Sequence, residues 1–195
     1  MTGSAGRRRS PLEGFAFPVG LREVPFLVQV NLRVGPADAG VAARLASALG
    51  FALPSEPNTV AGDDEHYALW LGPDEWLVTS PEGMAPELRA RLTRALAGRH
   101  ASVVDLSASR AVIEVTGRRA RDLLAKGCGL DLHPRAFGPG CCAQTLFAKL
   151  PVIIDQLSAA PAYRLFVRRS IVRQFTGALR NLAGRLDRGD ALAAR

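Results

Sequence analysis

Lysine, paired cysteines and long apolar runs are scarce or missing in this chain. Two of its 25 basic residues are lysines, Lys126 and Lys149. Its three cysteines are odd in number and contain no C-x-x-C spacing, so the sequence predicts neither a disulfide framework nor a zinc site. The state of Cys141 and Cys142 is left open. No run approaches the roughly 18 consecutive apolar residues that a membrane-spanning helix needs.

Export and cofactor motifs are also missing. Arg7-Arg8-Arg9 is followed by Ser10-Pro11, where a signal peptide would need an apolar core, so we expect a cytoplasmic protein. Neither G-x-G-x-x-G, G-x-x-x-x-G-K nor G-x-S-x-G occurs. Asp105, Ser107 and His133 supply an acid, a hydroxyl and an imidazole, but nothing in their spacing indicates that they converge. The sequence predicts no catalytic, cofactor-binding or metal-binding residue.

Charge is unevenly distributed along the chain. The net charge is +7 and the pI about 10.3, values that invite a nucleic-acid-binding interpretation. Against it, lysine is nearly absent, aromatic residues make up 6% of the chain, and the segment 45–88 has eight acids and no lysine or arginine. Residues 164–195 hold eight arginines and two aspartates. Such polarity favours oriented association with charged protein partners.

The segment from Val103 to Leu132 shows the clearest local pattern. Apolar residues alternate along 111–115, which predicts a strand with one buried face. After Gly117 the apolar spacing becomes helical, which predicts a short helix packed back on that strand. Arg118 and Arg119 stand at the start of this helix, where the helix dipole favours acids.

The whole chain divides into an arm, a domain and a tail. Residues 1–24 lack periodicity and predict a flexible arm. Residues 25–185 predict a single α+β domain built of two half-repeats, 25–99 and 103–185, each with the order strand, helix, strand pair, helix. Residues 186–195 predict a frayed end. We expect antiparallel sheet with helices on one face. The strand Tyr67–Leu71 is matched with Tyr163–Val167, and the segment 53–62 is expected to be a loop.

Two motifs resemble those of a known family. The run Asp105–Phe137, DLSASRAVIEVTGRRARDLLAKGCGLDLHPRAF, and the phrase Leu71–Leu77, LGPDEWL, resemble the gamma subunit of bacterial heterotetrameric sarcosine oxidase. With Tyr163–Val167 and the helix after it, the resemblance covers about residues 20–185. It implies a fold similar to the folate-binding domain of glycine-cleavage aminomethyltransferases, which is itself an internal duplication.

The resemblance also implies a function for the assembled complex. Such a complex demethylates sarcosine oxidatively to glycine, forming peroxide and methylene-tetrahydrofolate. The alpha and beta subunits would hold FAD, FMN, NAD and tetrahydrofolate, the delta subunit would hold zinc, and the gamma chain would hold no cofactor and serve assembly. The sequence does not distinguish sarcosine from a related N-methyl amino acid as substrate.

A second function remains open, as a stand-alone folate-fold protein that binds tetrahydrofolate or transfers a one-carbon unit. A folate pocket needs a buried acid that faces the pterin ring. Asp105 and Glu114 are the candidates that the sequence offers for this acid.

The arginine-rich surface predicts how a gamma chain would dock. We expect an acidic surface of a partner subunit to contact Arg168, Arg169 and Arg173 together with Arg118 and Arg119, because guanidinium groups bind carboxylates in pairs. Apolar surface must adjoin these charges, and two phenylalanines of the arm, Phe15 and Phe17, are candidates for it. The other interpretation is a solvated arginine surface without a partner. The apolar surface on which Phe15 and Phe17 lie belongs either to this chain or to another.

Overall fold

The chain folds into two five-stranded antiparallel sheets that pack face to face and carry two helices each. The computed structural model describes residues 9–35 and 39–193. In chain order the strands are β1 (Leu21–Val24), β2 (Val28–Val34), β3 (Val60–Gly62), β4 (Tyr67–Gly72), β5 (Glu75–Ser80), β6 (Ala101–Asp105), β7 (Arg110–Thr116), β8 (Cys142–Phe147), β9 (Leu150–Ser158) and β10 (Ala162–Arg168). The helices are α1 (Ala39–Leu49), α2 (Ala85–Ala95), α3 (Ala120–Gly127) and α4 (Val172–Ala193).

The two sheets have the same internal order. The first sheet runs β3-β4-β5-β2-β6 and the second runs β8-β9-β10-β7-β1. Each half of the chain thus places its first long strand, β2 or β7, beside the last of three consecutive strands, β5 or β10. A helix follows β2 and β7, and another follows β5 and β10. The predicted α+β fold of two similar halves is confirmed.

The outer strands of the two sheets are exchanged. β1 immediately precedes β2 in the chain but pairs with β7, and β6 immediately precedes β7 but pairs with β2. Each half therefore contributes the strand that completes the sheet of the other half. The sequence gives no sign of this exchange, because the partner of an edge strand is not encoded in its own alternation.

Alternating side chains divide the interior into three apolar layers. Along β4, Leu69 and Leu71 face the second sheet, whereas Ala68 and Trp70 face the helices of the first sheet. The helices α1 and α2 cover the outer face of the first sheet, and α3 and α4 cover that of the second. The result is a helix–sheet–sheet–helix sandwich, with helices on one face of each sheet.

The strand β3 was not predicted. The expected loop 53–62 contains β3, which pairs with β4 over three residues. This strand is short and its side chains are half-buried or exposed, so it has no apolar alternation to signal it. The match of Tyr67–Leu71 with Tyr163–Val167 is wrong as well. By position in the sheets β4 corresponds to β9, and β10 corresponds to β5.

The predicted flexible arm is wrong for residues 9–24, and residues 1–8 lie outside the described part of the chain. Leu12 is buried in the core of the second sheet, and Phe15 and Phe17 pack against the same core. β1 then extends the sheet through its ladder with β7. The segment is ordered because it covers apolar surface that the composition of the segment alone does not reveal.

The last helix is longer than predicted. α4 continues to Ala193, past the expected end of the domain at residue 185, and residues 194–195 lie outside the described part. Leu182, Ala183 and Leu186 still pack against the core of the second sheet, so the helix keeps its apolar contacts beyond Gly184.

A close contact at the end of α3 yields a stability prediction. A methyl group added at Gly127 would lie 2.4 Å from the Phe147 ring, which packs on Phe175 with ring centroids 5.2 Å apart. We expect Gly127→Ala to lower the free energy of unfolding by about 1–3 kcal/mol, since overpacking a core forces side chains out of place. Gly129→Ala, with nothing within 4 Å, is the matched control and should change it by less than about 0.5 kcal/mol. Urea unfolding of both variants tests this, and equal midpoints would contradict it.

Candidate functional site

A row of alternating charges crosses the second sheet on the face that meets the first sheet. Arg22 on β1 lies opposite Glu114 on β7, Glu114 lies opposite Arg164 on β10, and Arg164 lies opposite Asp155 on β9. Tyr67, the first residue of β4, faces this row from the first sheet. We call these five residues the inter-sheet cluster. Its charges are neighbours because four strands bring them into one register.

The inter-sheet cluster is joined by hydrogen bonds and by one longer ion pair. The Nη2 atom of Arg22 lies 2.8 Å from each carboxylate oxygen of Glu114, and its Nε donates to Oε1 at 3.1 Å. Arg164 Nε lies 3.7 Å from Glu114 Oε2. Arg164 Nη1 donates to the Tyr67 hydroxyl at 2.9 Å, with the guanidinium carbon 5.5 Å from the centre of the Tyr67 ring. One arginine thus joins the two sheets.

Burial changes the protonation of this cluster. Asp155 is 1% exposed, and burial raises its pKa to about 7, opposed by the charge of Arg164 and by a hydrogen bond from the Arg164 backbone N–H at 3.1 Å. Burial, and then the charge of Asp155, raise the pKa of Tyr67 above its ordinary value. The same causes raise the pKa of the Cys142 thiol to about 12. The phenol and the thiol are therefore neutral near pH 7, and neither is an activated nucleophile.

A cavity of about 500 Å³ lies beside the inter-sheet cluster. It brings one of the two candidate folate acids, Glu114, to a concave surface, but Arg22 binds both oxygens of that carboxylate. The other candidate, Asp105, lies at the end of β6 and accepts hydrogen bonds from the N–H and hydroxyl of Ser107 at 2.9 and 2.5 Å. Both acids are engaged by this chain's own groups.

The acid, hydroxyl and imidazole that the sequence offered for catalysis do not converge in the structure. Asp105 and Ser107 are in contact, but His133 lies in a separate loop, where its Nδ1 accepts from the backbone N–H of Arg135 at 3.2 Å. No group of three histidine, cysteine, aspartate or glutamate side chains able to hold a metal occurs among the described side chains of residues 9–35 and 40–186. Over the same residues no helix is long and apolar enough to cross a membrane.

The five arginines predicted to form one docking surface lie in two groups. Arg118 and Arg119 precede α3, next to the end of β7 at Thr116. Arg168, Arg169 and Arg173 lie near the opposite end, since Arg168 is opposite Arg110 in the ladder of β7 and β10. The seven residues of β7 separate the two ends by about 20 Å. The structure does not bring the two groups together.

The two phenylalanines of the predicted interface belong to this chain's own packing. Phe15 and Phe17 make an edge contact with ring centroids 4.8 Å apart, and both are half-buried against the core of the second sheet. The Arg180 guanidinium lies 5.5 Å from the centre of the Phe15 ring. Of the two surfaces that the sequence left open for these rings, they lie on this chain's own.

Of the inter-sheet cluster, the sequence identified Glu114 as a candidate functional residue but not the other four members. A signal was present, because Asp155 and Arg164 each interrupt an otherwise apolar strand. A charge inside such a strand indicates a buried partner. The partner itself lies on another strand or another sheet, and so the sequence does not identify it.

Comparisons with known proteins agree with this architecture. The model of the sarcosine oxidase, gamma subunit family matches residues 33–184. The sarcosine oxidase subunit gamma of an Arthrobacter species is 45% identical over 161 residues, which cover 77% of this chain and 78% of the relative. That of Corynebacterium sp. (strain U-96) is 44% identical over 153 residues, covering 78% and 73%.

The chain belongs to the sarcosine oxidase gamma subunit family.

Two solved structures extend the comparison to the fold. A chain of the heterotetrameric sarcosine oxidase from Corynebacterium sp. U-96, solved in complex with pyrrole 2-carboxylate, superposes with a TM-score of 0.83 and 35% identity, covering 91% of this chain and 95% of that one. The glycine cleavage system aminomethyltransferase T from Bartonella henselae has a TM-score of 0.63 and 16% identity, covering 82% of this chain and 45% of that one. The second likeness is one of fold alone.

The raised pKa of Asp155 predicts how the stability of this family member depends on pH. The folded state binds its proton more tightly than the unfolded state, whose pKa is near 3.8, so the contribution of Asp155 to stability falls as pH rises from about 4 to 7. Asp155→Asn removes that titration. The variant's unfolding free energy, relative to the wild type, should therefore rise between pH 5 and pH 8. Urea unfolding at both pH values measures this, and a difference independent of pH would contradict it.

Proposed function

We propose that this chain is the non-catalytic gamma subunit of a heterotetrameric complex that oxidises sarcosine. The observation that carries the proposal is the match along nearly the whole length of both chains to a subunit of such an enzyme, at 35% identity. The inter-sheet cluster supports a structural role, because its charged groups bind one another.

We infer the reaction, the cofactors and the partners of the complex from the resemblance to the gamma subunit family. The complex demethylates sarcosine oxidatively to glycine, reduces oxygen to peroxide and passes the methyl carbon to tetrahydrofolate. The alpha, beta and delta subunits are its partners and carry FAD, FMN, NAD, tetrahydrofolate and zinc, and this chain carries none of them. The complex acts in the cytoplasm.

Reconstitution tests this function against the stand-alone folate alternative. Co-expression with the other three subunits should yield a complex that forms peroxide from sarcosine, in lower yield when this chain is omitted. The isolated chain should give no heat of binding when titrated with tetrahydrofolate. Binding of tetrahydrofolate by the isolated chain, with no assembly, would favour the alternative.

The docking surface that we propose lies beside Arg118 and Arg119. A groove runs between the loop Pro18–Gly20, the start of α3 and the C-terminal part of α4. Val19 is fully exposed at its rim, and Leu186 lines it. Apolar surface thus adjoins Arg118 here, as a lasting interface requires.

The charge at this groove indicates what kind of segment fits it. Arg118 stands next to the N-cap of α3, where the helix dipole makes a positive charge unfavourable by about 0.3–1 kcal/mol. A partner carboxylate beside Arg118 would offset that cost and form a charge-assisted hydrogen bond. We therefore infer that the partner presents an apolar segment flanked by acids.

Substitutions at the groove test the docking proposal. Val19→Asp and Arg118→Glu should each lower the yield of this chain co-purified with the other subunits by about tenfold, because each would place an unpaired carboxylate in the interface. Both residues lie at the surface, so the thermal unfolding midpoint of the isolated chain should stay within a few degrees of wild type.

Matched controls distinguish this surface from others. Val104→Asp on β6 and Arg89→Glu on α2 change the same residue types at exposed positions outside the groove and should not affect assembly. The double substitution Arg168→Glu and Arg169→Glu tests whether the partner instead docks at the opposite end of β7. If that pair prevents assembly while Val19→Asp and Arg118→Glu leave it intact, the groove is not the interface.

A further inference from the structure

A second cavity, of about 320 Å³, lies near the end of the second sheet where β7 begins. Three arginines line it, Arg9, Arg110 and Arg169, and we call it the arginine pocket. Val24, Leu27 and Val112 form apolar parts of its wall. It is separate from the inter-sheet cluster, since Arg110 and Thr116 are opposite ends of β7 and the cluster lies toward Thr116.

Arg110, which lines the pocket, has another arginine as its cross-strand neighbour. Arg110 lies directly opposite Arg168 in the antiparallel ladder, an arrangement that destabilises a sheet. Burial, and then the charge of Arg168, lower the pKa of Arg110. Arg169 Nη2 lies 3.5 Å from the backbone oxygen of Arg9 and so adds a further guanidinium beside them.

Two carboxylates lie at or near the pocket, and neither pairs with Arg110, Arg168 or Arg169. Glu23, which lines it, accepts a hydrogen bond from the Ser10 hydroxyl, and Glu13 lies 3.9 Å from Arg9. Glu75 acts on Arg110 only through a weak favourable charge effect. Among the side chains that the structure describes, in residues 9–35 and 40–186, no carboxylate forms an ion pair with Arg110, Arg168 or Arg169. These three arginines therefore have no ion-pair partner among the described side chains, although Glu23 lines the same pocket.

Two buried polar atoms at the pocket lack partners. Gln29 is 1% exposed, and its amide donates to the backbone oxygen of Arg110 at 3.4 Å, but its Oε1 accepts no hydrogen bond. Arg110 Nη1 is also buried without an acceptor. Unpaired buried polar groups are uncommon in folded proteins and mark places where a further group completes the structure. A ligand with an acceptor for Arg110 Nη1 and a donor for Gln29 Oε1 would satisfy both atoms.

We propose that the arginine pocket binds a small carboxylic acid that carries a hydrogen-bond donor beside its carboxylate, as a small amino acid does. The guanidinium of Arg110, with Arg169, binds the carboxylate, because its planar fork matches the two oxygens. The donor faces Gln29 Oε1. Gln29 and Arg110 both line the cavity, so a rotation of each side chain is enough to bring its unpaired atom to the ligand. A volume near 300 Å³ is at the lower end of ligand pockets and fits a small molecule.

Ligand-observed NMR on the isolated full-length chain tests the proposal, with acetate and glycine as probes at constant ionic strength. Both should show saturation transfer from the protein, and glycine should bind more tightly than acetate. Arg110→Gln should weaken both by at least about tenfold, since a charge-assisted pair is lost. Gln29→Leu should weaken glycine and leave acetate unchanged. Arg94→Gln, an exposed arginine on α2, is the control and should change neither.

The NMR results test the carboxylate site at Arg110 and the donor site at Gln29 separately. No saturation transfer in the wild type, or transfer that persists in Arg110→Gln, overturns it. Acetate and glycine binding that are equal and insensitive to Gln29→Leu overturn the assignment of the donor. Arg110→Lys keeps the charge without the planar fork and should retain weakened acetate binding, which keeps the test decisive if Arg110→Gln does not fold.

The assembled complex distinguishes a free ligand from a side chain of a partner. Transfer to glycine at the pocket that persists after assembly, and that Arg110→Gln removes, supports a small-molecule ligand. Its loss on assembly shows that a partner fills the pocket and overturns the free ligand. The binding test on the isolated chain does not depend on the proposed function.

Discussion

The packing of the two sheets depends on how a row of charges is held between them. Arg22, Glu114, Arg164 and Asp155 alternate in sign across four adjacent strands, and the Tyr67 hydroxyl of the other sheet accepts a hydrogen bond from Arg164 at 2.9 Å. Glu114, Arg164 and Asp155 are largely removed from water, and burying an unpaired charge is costly, so these three are tolerable only because their neighbours are in register. A slip of one residue in any of the four strands would turn its charge to the helix-covered face. The row thus specifies register as well as contact.

The exchange of edge strands makes the duplication a single unit. β1 completes the second sheet and β6 completes the first, so neither half contains all the strands that its own sheet requires. The layer between the sheets also draws apolar residues from both halves, such as Leu69 and Leu77 from the first and Phe166 from the second. The surfaces of the two halves therefore keep their relative positions.

Local features of the fold were predictable from the sequence, and long-range ones were not. The alternation along β2 and β7 and the helical spacing after Gly117 identified strands and a helix, since these patterns depend on neighbours along the chain. The short β3 and the ordering of residues 9–24 depend on partners far along the chain. The inter-sheet cluster was predictable only in Glu114, because a charged residue in a strand indicates a partner without naming it. The separation of the five arginines into two groups followed from the pairing of β7 with β10, which the sequence does not encode locally.

Whether the two halves form one cooperative unit is tested most directly by unfolding followed with two probes. Trp70 and Trp76 are the chain's two tryptophans, and both lie in the first half, packed in the core of the first sheet. Their fluorescence reports on that half, whereas far-ultraviolet circular dichroism reports on both. The exchanged strands and the inter-sheet cluster predict that the two signals change together, with the same midpoint and slope in urea. A fluorescence transition that is clearly separated from the dichroism transition would show that the halves unfold independently and would contradict this account.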